Sequence, residues 1–181
     1  MQAEGRLGWD WQCPDTCQNK SPLGGEAIGP NPTDRNKGGV KRHVLTEAKG
    51  LPNGVAVTGA NVHEATQVQA VLDSIPVLPT PAKNNFAAGC CADKSYNAEA
   101  ICRLLAHLGY CVHILSRGEE ADNYRTRGYR TRRWVIDRAH AWFNRFRRLL
   151  IRWEKKVINY KTLLHLACDN IIWRHSLLFF G

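Results

Sequence analysis

The chain has 181 residues, 44% of them hydrophobic and 23% charged, the balance of one globular domain large enough to bury a core. Lys and Arg number 25 against 16 Asp and Glu, and a formal charge of +9 points to a polyanionic partner, nucleic acid or an anionic membrane surface. No segment reaches the roughly 18 apolar residues of a membrane span, and MQAEGRLGWDWQ lacks a signal-peptide core, so no membrane partner and a cytoplasmic, nucleoid-associated location with reduced thiols are expected.

The seven cysteines, Cys13, Cys17, Cys90, Cys91, Cys102, Cys111 and Cys168, are odd in number and contain no CxxC pair. Cys13 and Cys17 resemble the start of a zinc site, but no second Cys or His pair follows at finger-like spacing. Buried or incidental thiols are the better reading.

Residues 1–39 read as an irregular N-terminal segment, because SPLGGEAIGPNPTDRNKGG is crowded with turn formers. KRHVLTEA then reads as a strand, LPNG as a turn and VAVTGANV as a second strand, which together make a hairpin. In EATQVQAVLDSI, Val68, Val71, Leu72 and Ile75 recur at helical spacing. PVLPTPAKNN is a proline-rich loop, and FAAGCCADK is a short buried strand with Asp93 at its C-terminal end. NAEAICRLLAHLGY is an amphipathic helix with Ile101, Leu104, Leu105 and Leu108 on one side, Asn97 as its N-cap and Gly109 as its stop. CVHILS is another short strand, and SRGEEADNYRTRGYRT is a polar connector expected to be mobile. Residues 132–156, RRWVIDRAHAWFNRFRRLLIRWEKK, read as one long basic helix, and NYKTLLHLACDNIIWRHSLLFF as a final apolar one. No internal repeat or low-complexity tract interrupts them. Strands followed by strand–helix alternation define an α/β class, a mixed sheet flanked by helices.

In the basic helix, Val135, Ala139, Trp142, Phe146, Leu149 and Trp153 alternate steps of four and three, a narrow stripe for docking on the sheet. Arg138, Arg145, Arg148 and Arg152 project away from it as a cationic ridge, opposed only by Asp137 and Glu154. Like charges at neighbouring helical positions repel by a few tenths of a kcal/mol per pair, which the phosphates of DNA or RNA would offset. Asp137 lies about 200 degrees round from Val135, on the face of Arg133 and Arg148. Taken alone, it is explained by a pairing with Arg133 four residues earlier.

Two further acids change that weighting. Asp93 ends a strand in the position where α/β sheets place functional groups, and Asp15 stands in WQCPDTCQ. Carboxylates that converge repel one another and are stable together mainly around a hard cation. A pair of Mg²⁺ ions clamps the attacking and leaving oxygens of phosphoryl transfer.

The blocks GGEAIGPNPTDRNKGGVKRHVLTEAKGLPNGVAVTGANVHEA, CADKSYNAEA and RRWVIDRAHAWFNRFRRLLIRWEKKVINYKTLLHLAC, in that order, closely resemble insertion-sequence transposases of the DDE type, in the group called the insertion-sequence-five family. The resemblance runs over nearly the whole chain from Trp11 onward. It implies an RNase H-like domain in which two Asp and one Glu hold Mg²⁺ or Mn²⁺ for DNA strand nicking and strand transfer. Carried onto this chain, the catalytic and metal-holding acids are Asp15, ahead of KSPLGGE, Asp93 in CADKSY, and Asp137 in VIDR. Arg133 keeps the family's R-x-x-x-acid pattern, and the later basic position is met by Asn144 and Arg145. The expected DNA contacts are Arg133, Arg138, Arg145, Arg148 and Arg152.

The departures from the family are specific. Asp137 is one methylene shorter than the usual Glu, and a helix-fixed carboxylate then falls short by roughly an ångström. Mg²⁺ takes oxygens at about 2.0–2.1 Å, and a misplacement of about 1 Å can cost on the order of a hundredfold in rate. Pro14 removes an N–H from what is expected to be a central strand. Asn36, Glu64, Ser95 and Asn97 stand where the family has Gly, Asp, Gly and an acid. Family members also carry a further N-terminal helical segment associated with recognising element ends, so either an upstream reading frame supplies it or the chain is a truncated remnant.

The expected organisation is an irregular segment over 1–39 with the first catalytic block, an RNase H-like core over 40–156 and a packing helix over 157–181. The expected partners are DNA at element ends and target, an upstream-encoded transposase part and a second copy of the chain. The competing expectation is an inactive truncated remnant that only binds DNA, and a weaker one is a structural α/β protein with incidental basicity.

Overall fold

The computed structural model describes residues 8–76, 88–114 and 132–178, with side chains through His175 in the last stretch. Its sheet is built on Trp11–Lys20 (β1), which pairs antiparallel with Gly38–Glu47 (β3) from Gln12 opposite Glu47 to Lys20 opposite Gly39. The other side of β3 is taken by Pro52–Gly59 (β4) and, beyond it, by the two-residue Gly29–Pro30 (β2). Gly89–Cys91 (β5) lies parallel to β1 on its free edge, and Cys111–His113 (β6) parallel to β5. Antiparallel strands followed by two parallel ones make the mixed sheet of an RNase H-like fold.

The hairpin turn after β3 is organised by a buried carboxylate. Glu47 accepts hydrogen bonds from the N–H groups of Gly8 (2.5 Å), Lys49 (2.8 Å) and Leu51 (3.0 Å), which satisfies it inside the protein. Gly50, with φ 79°, turns the chain where a Cβ would crowd the Val135 carbonyl.

Alternation along the strands divides the core. Cys13, Val40, Val44 and Val55 face Trp134–Phe143 (α3) and Val157–Leu178 (α5), which bury Val135, Ile136, Ala139, Phe143, Tyr160 and Leu164 against them. On the opposite face, Leu45 and Ala56 meet Val71 and Ile75 of the segment built on Val68–Asp73 (α1). Beside them, Cys90, Ala92 and Tyr96 meet Leu105 of Glu99–His107 (α2). α1 is preceded by a 3₁₀ turn, Glu64–Gln67.

Three expectations need correction. The irregular reading of 1–39 fails over residues 11–20, which form the central strand that the resemblance implied, and Pro14 sits opposite Leu45 in unbroken register; the parallel ladder with β5 ends at Gln12, before the proline. Asn97 does not cap α2: it ends the 3₁₀ turn Lys94–Tyr96, which Asp93 caps, and Ala98 takes the helix N-cap position without a side-chain bond. The long basic helix breaks after Phe143. Phe146 is extended (φ −89°, ψ 99°), Arg147–Leu150 (α4) is a single turn, and Ile151 forms a parallel bridge to Lys20. Hydrogen bonding to the end of β1, including Arg152 N–H to the Lys20 carbonyl at 2.8 Å, outcompetes helical propensity there. The docking stripe shifts as a result: Ile136 and Phe143 are fully buried, whereas Trp153 is 45% exposed. The connector over 116–131 and all but the first residue of PVLPTPAKNN fall outside the described residues.

Candidate active site

Asp15 sits midway along β1 and faces α3. Only a quarter of its side chain is exposed, and burial pushes its carboxyl up to about 6; Asp137 and Asp93 push the same way, while the Thr16 N–H and Arg133 oppose the shift. That pattern identifies the neighbourhood: the charges of the other two candidate acids and of Arg133 are felt at the Asp15 carboxylate.

Asp93 leaves the end of β5 and accepts a hydrogen bond from the Lys94 N–H, which fixes its side chain at the mouth of the strand. Its second oxygen lies 2.8 Å from Nη2 of Arg133. Asp137 is exposed on α3, four residues after Arg133. Among the described residues, no group of three or more His, Cys, Asp or Glu side chains is placed so as to hold a metal ion. The donor set nonetheless fits Mg²⁺ or Mn²⁺ in kind, since it is all carboxylate oxygen and mutually repulsive, with Arg133 supplying positive charge between its members.

The predicted arginine ridge is split into separate places. Arg138 is held between the indoles of Trp134 and Trp142 at 4.7 and 4.9 Å and donates to the Lys49 carbonyl, at the hairpin-turn end of the sheet. Arg145 and Arg148 lie exposed at the opposite end, with Arg148 2.5 Å from Glu154. Arg152 does not join any ridge: it is fully buried, donating to the carbonyls of Glu154 (2.7 Å) and Lys155 (3.0 Å).

Two features were not anticipated. His140 places Nε2 3.8 Å from Asp15, too long for a hydrogen bond. Burial and the nearby Arg42 push it down to about 4, so the imidazole is neutral there and the contact is no ion pair. Its three-residue spacing from Asp137 on one helix was the available signal. Behind Asp15, Glu64 accepts from Thr16 Oγ1 (3.4 Å) and from Lys41 Nζ (3.2 Å), and a side-chain hydrogen bond from Ser95 also favours its charged form. Lys41, 8% exposed, donates in addition to the Val62 carbonyl at 2.7 Å. Glu64 thereby joins the residue after Asp15 to the residue two beyond Asp93.

An acid on the central strand, a second at the end of its parallel neighbour and a third on the covering helix define a class, and the chain belongs to the transposase DDE domain family, whose model matches residues 9–168. It is similar to a putative transposase for insertion sequence element IS402 from Burkholderia cepacia, with 37% identity over 149 residues, covering 80% of this chain and 68% of that relative. No helix among the described residues is long and apolar enough to cross a membrane.

Proposed function

We propose that the chain is the catalytic domain of a DNA transposase, performing metal-dependent strand cleavage and strand transfer inside the cell at Asp15, Asp93 and Asp137. The observation that carries this reading is the placement of Asp15, three-quarters buried on β1, beside Asp93 from the end of β5 and Asp137 and Arg133 from α3, all of which influence its charge. Asp15, Asp93 and Asp137 would hold Mg²⁺ or Mn²⁺, which would supply Lewis-acid polarisation of a phosphodiester and of the oxygen attacking it. β1 fixes Asp15 rigidly, the Glu64 clasp holds the Asp93 turn beside it, and Arg133 is within reach to orient the scissile phosphate. Arg145 and Arg148 neutralise flanking phosphates, whereas Arg138 and Arg152 brace the fold.

The test is nicking of element-end duplex by the purified chain with Mn²⁺, together with any upstream-encoded part. Cleavage is expected, and Asp15→Asn and Asp93→Asn each abolish it. No cleavage, and none restored by Asp137→Glu, would sink the catalytic reading. Two observations favour a second reading, a remnant that grips DNA without cutting it: Arg133 already pairs with Asp93, and the helix acid is the short one. Salt-sensitive binding without metal-dependent cleavage is its signature.

A further inference from the structure

We propose that the end of the sheet beyond the carboxylates is a second contact surface for the phosphate backbone of duplex DNA, formed by Arg35 and Lys37 from one segment and Arg145, Arg147, Lys155 and Lys156 from another. The proposal rests on the DNA reading above and adds where the duplex runs once it leaves the acids.

Residues 20–37 and 145–156 together carry nine Lys and Arg against three carboxylates. Each of those carboxylates is engaged. Asp34 lies 3.4 Å from Lys20, Glu26 accepts the Val157 N–H at 3.0 Å, and Glu154 pairs with Arg148. The six named cations are exposed and have no carboxylate partner among the described residues. Like charges gathered in this way repel, and a polyanion relieves the repulsion.

The two segments are joined by a set of hydrogen bonds, most of them from the buried Arg152, Asn19 and Ser21. Arg152, fully buried, donates to the carbonyls of Glu154 and Lys155, while its own N–H bonds the Lys20 carbonyl and its carbonyl accepts from Ser21 Oγ at 3.4 Å. Asn19 Nδ2 donates to the Leu150 carbonyl at 3.2 Å, and the Glu26 N–H to the Lys155 carbonyl at 2.9 Å. Gly25 is required at that contact, because a side chain there would run into Lys155. Arg35 and Asn36 are both left-handed, φ 51° and 58°, a conformation that Asn tolerates but that is unfavourable for Arg. The turn is closed by Asn31 N–H to the Lys37 carbonyl (2.8 Å) and Asn36 N–H to the Asn31 carbonyl (2.9 Å), with Arg35 and Lys37 left facing solvent.

The position suits a duplex engaged at the acids. Lys20 follows Asp15 by five residues on the same strand, about 17 Å at the usual rise, which spans about five base pairs. DNA with a phosphate at Asp15 therefore reaches this rim within half a helical turn. Because Leu150 and Trp153 are 41% and 45% exposed beside the cations, an anionic lipid surface is the competing occupant to be tested.

The experiment is fluorescence anisotropy of a labelled 30-base-pair duplex against the full chain over a range of salt concentrations, about three helical turns being enough to cover both surfaces. Arg35→Gln/Lys37→Gln and Lys155→Gln/Lys156→Gln are each expected to reduce the slope of log affinity against log salt by about two, near one for each phosphate no longer neutralised. Arg103→Gln on α2 is expected to leave it unchanged. Should a double variant melt lower than wild type, Arg35→Gln alone carries the test, with a loss of about one. Wild-type slopes in both doubles, or tighter binding to anionic phospholipid vesicles than to duplex, overturn the rim. If the rim doubles keep the wild-type slope while Arg133→Gln lowers it, the rim fails and the catalytic reading stands. If wild type does not bind duplex at all, the DNA reading itself fails.

Discussion

Arg133 Nη2 stands 2.8 Å from Asp93 Oδ2, so a cation already occupies the mouth of the acidic site. The two side chains are 33% and 42% exposed, and a pair so open to solvent contributes about 0.5–1 kcal/mol. Arg133→Gln is therefore expected to raise Mn²⁺ affinity about two- to fivefold in the absence of DNA, while weakening duplex binding. A Mn²⁺ titration of the DNA-free protein, followed by electron paramagnetic resonance, reads the first effect. Unchanged or weaker metal binding would show that the arginine does not compete for Asp93.

Asp137, exposed on α3 with its charge felt at Asp15, has one methylene fewer than the family's Glu. Asp137→Glu is expected to increase Mn²⁺-dependent nicking, by up to about a hundredfold if the shortfall is near 1 Å. Asp137→Asn is expected to abolish it. Position 137 is exposed, so both variants should melt within about 0.5 kcal/mol of wild type. Equal nicking rates for Asp and Glu would mean that the helix carboxylate is not limiting.

The clasp behind the site makes a separate prediction. Lys41 is nearly buried, and removing Glu64 leaves its ammonium without a counter-charge. Glu64→Leu is expected to destabilise the chain by about 2–4 kcal/mol, and Lys41→Met/Glu64→Leu by markedly less. Urea denaturation of the singles and the double completes the cycle. Additive losses would show that the two groups do not act as a pair.

What the sequence made legible, and what it hid, follows from the kind of signal each element carries. The β3–β4 hairpin was readable because two β-prone runs, KRHVLTEA and VAVTGANV, on either side of Gly/Pro/Asn turn residues are a local signal. The three acids were readable only through resemblance, since nothing in WQCPDTCQ marks Asp15 as sitting on a central strand. The helix break was hidden because the apolar period runs on through Phe146 and Leu149. What stops the helix is a distant partner, the end of β1 that bridges Ile151. His140 was hidden because only the fold buries its imidazole beside Asp15 and keeps it neutral.

Arg152 is where periodicity misled most, and it separates stability from binding. Its guanidinium holds the Glu154 and Lys155 carbonyls from a fully buried position. Arg152→Ala is expected to lower stability by about 2–4 kcal/mol, through carbonyls left unsatisfied and weaker packing against Tyr160. At a temperature where the variant remains folded, the salt slope of DNA binding should stay at the wild-type value. A slope reduced by about one would place Arg152 on the phosphate backbone after all.

The titration of Asp15 gives the last prediction. Its carboxyl is raised from 3.8 to about 6, chiefly by burial, so the folded chain holds this proton more tightly than the unfolded chain does. Its contribution to stability is full below pH 3.8 and is lost as the pH rises through 6. His43 and His140 run the other way. Burial pushes both down from 6.5 to about 4, so their contribution is full above pH 6.5 and is lost as the pH falls through 4. In metal-free buffer at pH 7.5, Asp15→Asn is expected to stabilise the chain by about 1–3 kcal/mol, a rise in melting temperature of about 2–8 °C. The difference should vanish by pH 3, below the unfolded value of 3.8, where Asp15 is largely protonated in both states. Mn²⁺ reverses the order at pH 7.5, because it stabilises the wild type through a carboxylate that Asn lacks. Melting curves of the two proteins at both pH values, with and without Mn²⁺, check each sign. An Asp15→Asn variant less stable than wild type in metal-free buffer at pH 7.5 would show that the carboxylate is satisfied by its neighbours rather than held in a charged site awaiting a cation.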